Sequence, residues 1–380
     1  MFKTIDLHFE SSKKLNDFSQ GKLDRYSEMT EFQRAFVCGL LREKKPQKVL
    51  EIGVAAGGTT AVILECLQEL GLSGVMYSVD ISEQWYRGGN KRTGFLKDEL
   101  IADDGAYKHT FILGKAIPHV IEDIGDNIDF LILDTTHILP GELLDFLVCY
   151  PFLNKTCTVV LHDVAENMIT GKKTEIATKL LFDVIRADKY YMLDKDEYAY
   201  GFSNIAAFTI NDQTATSIDN LFSALSFSWN YGFSNEDKEA YGGIINKNYP
   251  TSCYQWYLRV AKMHEYTALE GKIRSHYGKD LSVLKLQWES ADCVYVYGGG
   301  YWAELYTRYA NINGLSIAGY IISEEYEKKD SLVFNKFDLP VLYPGEVADA
   351  INCAVVLGVD VSSFRQCTLS LKKSGISRIL

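Results

Sequence analysis

Apolar and polar positions along the first half of the chain fall into short blocks that the two backbone periods sort into helices and strands. Between Thr30 and Glu43, Phe32, Ala35, Phe36, Leu40 and Leu41 recur at helical spacing, and Pro46 closes the segment. Apolar runs follow at Lys48 to Ile52, Val75 to Val79, Thr110 to Leu113, Ile128 to Leu133 and Thr158 to Leu161. Each has strand length, and each is separated from the next by enough chain for a helix. The alternation predicts an α/β protein with a doubly wound, parallel, Rossmann-like sheet. Two further runs, Tyr190 to Leu193 and Ile205 to Ile210, are joined by a short polar segment, which suits an antiparallel closing pair.

Beyond Asn211 the pattern turns helical and aromatic, with Trp229, Tyr241, Tyr254, Trp256 and Tyr257 crowded together. Such residues fill a core or a subunit interface more often than they stack on a ligand. The stretch Ser252 to Tyr277 is a candidate interdomain or dimer helix, which makes a homo-oligomer an open expectation. At Cys293 a second, smaller Rossmann-like α/β unit opens with CVYVYGGG. The expected organisation is a polar segment over 1–29, a catalytic domain over 30–210, a helical aromatic connector over 211–291 and a small module over 292–380.

A length of 380 residues agrees with two domains. The net charge of −11 argues against a broad phosphate-tracking surface, so no nucleic-acid partner is expected. No run of about 18 apolar residues appears, and the N-terminus lacks a secretion-signal pattern. A cytoplasmic protein with no membrane partner is expected. The eight cysteines show no CxxC pair or zinc rhythm and are read as reduced thiols.

Candidate chemistry centres on Lys48 to Thr60, KVLEIGVAAGGTT, and on GVMYSVD, which ends at Asp80. A dinucleotide fingerprint would need Gly-x-Gly-x-x-Gly, and Ala55 occupies its second glycine position. What stands instead is Glu51-x-Gly53-x-x-x-Gly57. This segment resembles the class I S-adenosylmethionine-dependent methyltransferases. The resemblance implies that Glu51, Gly53, Gly57, Gly58 and Thr59 pass close to S-adenosylmethionine and that Asp80 takes its ribose hydroxyls. It also sets the backbone of Lys115 and Ala116, after the third strand, against the adenine. Trp85 and Tyr86 either cover the adenine or ribose or pack at a helix start.

Residues that act on an acceptor belong at the carboxyl ends of the strands, which points to Asp134, His162 and Asp163. Two carboxylates at neighbouring strand ends can hold a divalent ion such as Mg²⁺ and lower the pKa of a substrate hydroxyl. This part resembles the metal-dependent O-methyltransferases of the branch with cephalosporin-hydroxylase-like, macrolide-sugar and rhamnosyl enzymes. There the fourth strand ends in Asp-Gly-Asp-His and the fifth in His-Asp. Here the segments are Asp134-Thr135-Thr136-His137 and Leu161-His162-Asp163, so Thr135 and Thr136 replace the glycine and the second acid. Asp134 and Asp163 are the candidate metal ligands. His137 is the candidate general base, with His162 as its alternative.

The resemblance thus implies O-methylation of a small-molecule hydroxyl, on a sugar or glycosylated metabolite, with metal assistance. Two other readings stay open. One is a binding or assembly protein on a degenerate methyltransferase fold. The other is an NAD-dependent sugar-modifying enzyme using Gly298-x-Gly300-x-x-Ala303, with Glu324 as the ribose acid.

Overall fold

The computed structural model describes residues 3–87, 90–102, 105–192, 203–328, 337–347 and 352–380. It divides into two compact units, residues 1–261 and 262–380, and the division falls within the helix Thr251–Tyr277.

In the first unit the apolar runs become β1 (Lys48–Ile52), β2 (Gly74–Asp80), β3 (Tyr107–Leu113), β4 (Ile128–Leu133) and β5 (Leu153–His162). The closing pair is β6 (Asp188–Tyr191) and β7 (Ile205–Thr209); Leu193, the predicted end of that first run, lies outside the described residues. Among the described residues they form a seven-stranded sheet in the order β3-β2-β1-β4-β5-β7-β6. β1 to β5 pair in parallel, and β7 is antiparallel to both β5 and β6. This is the doubly wound sheet and closing pair that the sequence pattern predicts.

The period of two along each strand distributes side chains between two cores. Leu50, Leu131, Leu133, Val159 and Leu161 face one layer, while Val49, Phe130, Ile132 and Val160 face the other. The helix Glu31–Lys44 belongs to the second layer and opens with a capping box, in which Thr30 and Gln33 exchange hydrogen bonds. Leu15, Leu23 and Met29 from the polar N-terminal segment also enter this layer. Tyr241, Ile245 and Tyr257 enter the first, whereas Phe227 and Trp256 of the same stretch are exposed.

The second unit consists of β8 (Cys293–Tyr297), β9 (Gly319–Ile321), β10 (Val341–Leu342), β11 (Cys353–Leu357) and β12 (Arg378–Ile379). Among the described residues these are all parallel, in the order β10-β9-β8-β11-β12. Register sets Cys293 directly opposite Cys353, with Cα atoms 4.9 Å apart, and the two form a disulfide. This corrects the expectation of eight free thiols. Sixty residues separate the pair along the chain, and only the strand pairing brings them together.

Candidate functional site

Strand order reverses between β1 and its neighbours β2 and β4, which opens a crevice beyond their carboxyl ends. A cavity of about 380 Å³ lies there, lined by Gly53, Ala55, Asp80, Lys115, Ala116 and Asp134 among others. A more open groove of about 730 Å³ near Asp183 to Lys189 holds none of the strand-end residues expected to carry chemistry.

The glycine turn is shaped by backbone crowding. Gly53 has φ of 93°, and a Cβ there would lie 1.7 Å from the Asp134 carbonyl oxygen. Gly57, at φ 87°, would bring a Cβ to 2.8 Å from the Cα of Gly94. Both positions demand glycine for the packing of the protein itself. Asp80 ties the turn down: its Oδ2 accepts from the amides of Val54 (2.9 Å) and Ala55 (3.2 Å), and its Oδ1 from that of Ser82 (2.8 Å). An ionised carboxylate has about four acceptor sites, so roughly one remains for a ligand hydroxyl.

Glu51 points elsewhere. Alternation along β1 sends it to the layer opposite Leu50 and Ile52, where it is wholly buried and its Oε2 accepts from Thr60 (2.7 Å) and Ser78 (2.6 Å). Burial raises its pKa to about 8 against those two hydrogen bonds, so at neutral pH it is a protonated acid inside the domain. Glu51, Gly57, Gly58 and Thr59 are not among the residues that line the cavity, whereas Gly53, Asp80, Lys115 and Ala116 are. Tyr86 lines it too, with its hydroxyl donating to Glu28, while Trp85 packs against Tyr26 and Phe95.

The acceptor-side residues meet at the ends of β4 and β5. One atom each from Asp134, His162 and Asp163 fall within 4.8 Å of one another, a grouping able to hold a metal ion. His162 Nδ1 lies 3.3 Å from Asp134 and 3.2 Å from Asp163, and its Nε2 faces Gln33 Oε1 at 3.1 Å. His137 Nε2 lies 2.8 Å from Asp163, and its Nδ1 lies 3.1 Å from Glu142. Asn204 donates to the other oxygen of Asp163. His137 and Asp163 both hold φ of 59°, a left-handed conformation uncommon for non-glycine residues although Asp and His adopt it more readily than most.

Electrostatics inside the cluster is dominated by the pairing of imidazole and carboxylate. Burial pulls His137 down, but Asp163 and Glu142 outweigh it and raise it to about 11. Burial likewise opposes charge on His162, yet Asp134 and Asp163 hold it well above the ordinary histidine range. Burial pushes Asp163 up, and the two imidazoles overcome this to leave it far below the usual carboxylate range.

Four partners were not among the expected site residues. Glu142 Oε1 accepts from the amides of Thr135 (3.1 Å) and His137 (2.8 Å) and so sets the loop after β4. Asp145, raised to about 7 chiefly by burial, accepts from Tyr241 and from Thr135 on the cavity wall. Two acids inside the apolar helix Gly141–Cys149 are the signal that could have revealed this pair. Gln33 and Asn204 carried no such signal.

Residues 50–164 match the model of a family described as a methyltransferase domain. No curated protein matches the chain. Among solved structures, the chain is similar to the O-methyltransferase TomG from Streptomyces achromogenes, involved in tomaymycin synthesis and solved with S-adenosylmethionine. That likeness has 13% identity, covers 55% of this chain and 92% of the other, and has a TM-score of 0.36. An O-methyltransferase from Bacillus cereus in complex with S-adenosylhomocysteine gives 12%, 53%, 90% and 0.36. The MycE methyltransferase of the mycinamycin pathway, with Mg, S-adenosylhomocysteine and mycinamycin VI, gives 15%, 53%, 55% and 0.34. The assignment rests on the family match and on the sheet with its antiparallel closing pair, and not on these distant likenesses. Residues 50–164 belong to a class I S-adenosylmethionine-dependent methyltransferase domain, carried by the first unit of the chain.

Proposed function

We propose that the domain transfers the methyl group of S-adenosylmethionine to a hydroxyl of a small molecule, with a sugar or glycosylated metabolite as the acceptor class. The observation that carries this reading is the convergence of Asp134, His162 and Asp163 beside the cavity that Asp80 and Gly53 line. Asp80 has the acceptor capacity for a ribose hydroxyl, and Lys115 and Ala116, whose backbone the resemblance sets against the adenine, line the same cavity. The sugar preference comes from the resemblance, and the aromatic and acidic wall of Tyr231, Phe233, Tyr241 and Asp237 supports it.

The two carboxylates of Asp134 and Asp163 form a donor pair that fits a divalent cation such as Mg²⁺, and His162, once it gives up its proton, would add an imidazole nitrogen. When bound, such a cation supplies Lewis acidity that lowers the pKa of an acceptor hydroxyl. His137 is placed to receive the proton at Nε2, the nitrogen that faces Asp163. While Asp163 and Glu142 pair with it, His137 is held as the cation, so its work as a base needs that pairing relaxed. Methyl transfer is an in-line displacement, and orientation of the two reactants is the other contribution of the site.

Titration of the protein with S-adenosylhomocysteine, with and without Mg²⁺, tests the assignment. Binding in the micromolar range is expected, with Asp134→Asn and Asp163→Asn binding within about threefold of wild type. Turnover on a screened hydroxyl acceptor should fall by about 10²-fold or more in both variants, the scale of lost acid–base assistance. Unchanged turnover in both variants would overturn the assignment of these carboxylates.

A further inference from the structure

The second unit has a cavity of its own. It measures about 540 Å³ and lies beyond the carboxyl ends of β8 and β9, lined by Gly298, Gly299, Gly300, Ser323 and Glu325 among others. β8 is flanked by β9 on one side and β11 on the other, so this is the reversal point at which open α/β sheets take ligands. The volume falls in the range of small-molecule sites. We propose that this crevice binds a nucleoside diphosphate, with its diphosphate on the Gly298–Gly300 turn and its ribose beside Glu325.

Three positions of the turn show the separate duties of a diphosphate-binding loop. Gly298 has φ of 122°, and a Cβ there would lie 2.3 Å from the Gly358 carbonyl oxygen, so it makes the tight turn out of β8. Ala303 is wholly buried, and a Cβ on Gly358 would stand 2.8 Å from its Cα. The missing side chain of Gly358 therefore lets the backbone of the helix Tyr301–Asn313 at Ala303 approach the end of β11.

Gly300 differs from both. Its backbone is extended (φ −107°, ψ −157°), and a Cβ there would meet no protein atom within 4 Å. Neither packing nor dihedral strain asks for glycine at this wall of the cavity. What its absent side chain preserves is open space against the backbone, which a phosphate oxygen needs in order to reach the first amides of a 13-residue helix.

The carboxylate wall supplies the second half of the recognition. β9 ends at Ile321, and the chain continues through Ser323, whose hydroxyl donates to Glu325 at 3.0 Å. Glu325 lines the cavity, while Glu324, the acid that sequence spacing selects, is not among the lining residues. An acid after the second strand of such a unit is placed to accept ribose hydroxyls. Ser323 and Glu325 occupy that place here.

The test is calorimetric titration of the full-length protein with ADP, UDP and inorganic pyrophosphate. ADP or UDP should bind in the micromolar range. Gly300→Ala should weaken that binding by tenfold or more, because its methyl group fills the diphosphate approach while touching no protein atom. Glu325→Gln should weaken the nucleotides several-fold and leave pyrophosphate unchanged. Wild-type thermal transitions in both variants exclude misfolding as the cause.

Absence of nucleotide binding up to millimolar concentration would overturn the proposal. So would nucleotide binding that is indifferent to Gly300→Ala but lost in Asp80→Ala, which would place the nucleotide in the methyltransferase cavity. NAD binding tenfold tighter than ADP would overturn the assignment of a nucleoside diphosphate as the occupant.

Discussion

Replacing Glu51 by glutamine isolates the cost of a buried acid at the centre of the sheet. Glu51 is wholly buried, with its pKa raised from 4.5 to about 8. Between those two values the folded protein holds one proton more at this site than the unfolded chain, so stability falls as pH rises. The contribution is complete below about pH 4.5 and is lost progressively as pH rises through about 8. At about 1.4 kcal/mol per pH unit, the full span corresponds to roughly 5 kcal/mol.

Glutamine keeps the shape and an acceptor for Thr60 and Ser78 but has no proton to lose. Between pH 6 and pH 8 the wild type should therefore lose about 2–3 kcal/mol relative to Glu51→Gln. For a unit of this size, about 1 kcal/mol moves Tm by roughly 2–4 °C, so the gap between the two proteins should widen by about 5–10 °C. Scanning calorimetry of both proteins at pH 6, 7 and 8 reads this directly, since other titrating groups cancel in the difference. A Tm difference that stays constant over this range would refute the claim that Glu51 is protonated in the fold.

Glu51→Gln should also bind S-adenosylhomocysteine within about threefold of wild type, because Glu51 is not on the cavity wall; a calorimetric loss of tenfold or more would restore it as a cofactor ligand. Asp80→Ala removes the acceptor for three backbone amides and for the proposed ribose hydroxyl, and titration should show binding weakened by at least tenfold. Gly53→Ala forces a Cβ against the Asp134 carbonyl and strains a φ of 93°, so chemical denaturation should show about 3 kcal/mol or more of lost stability, or no folded protein.

The strands of the first unit and their parallel class were readable because their signals are local. A run such as Ile128 to Leu133 is long enough to be a strand and too short for a buried helix, and the chain between runs suffices for crossover helices. Strand ends are local too, so Asp134, His162 and Asp163 could be marked as a group before any distance was known. Their number was also limited by sequence: Thr135 and Thr136 bring no carboxylate to the loop, whatever its conformation.

What surrounds those residues was a matter of tertiary structure. Glu142 reaches His137 and Asp145 reaches Thr135 from one helix, Gln33 reaches His162 from 129 residues away along the chain, and Asn204 reaches Asp163 from the residue just before β7. None of these contacts follows a sequence period. At Gly53 and Gly57 the packing of backbone against backbone asks for glycine, with Gly53 also on the cavity wall, and the carboxylate of Glu51 lies in the interior with Thr60 and Ser78. In the second unit, strand pairing joined Cys293 to Cys353, and the path of the chain after β9 put Glu325 rather than Glu324 on the cavity wall. Hydrophobic periodicity dictates which face of an element is buried. Which polar groups then share that buried space depends on how separate elements pack, and distance in space is not written in distance along the chain.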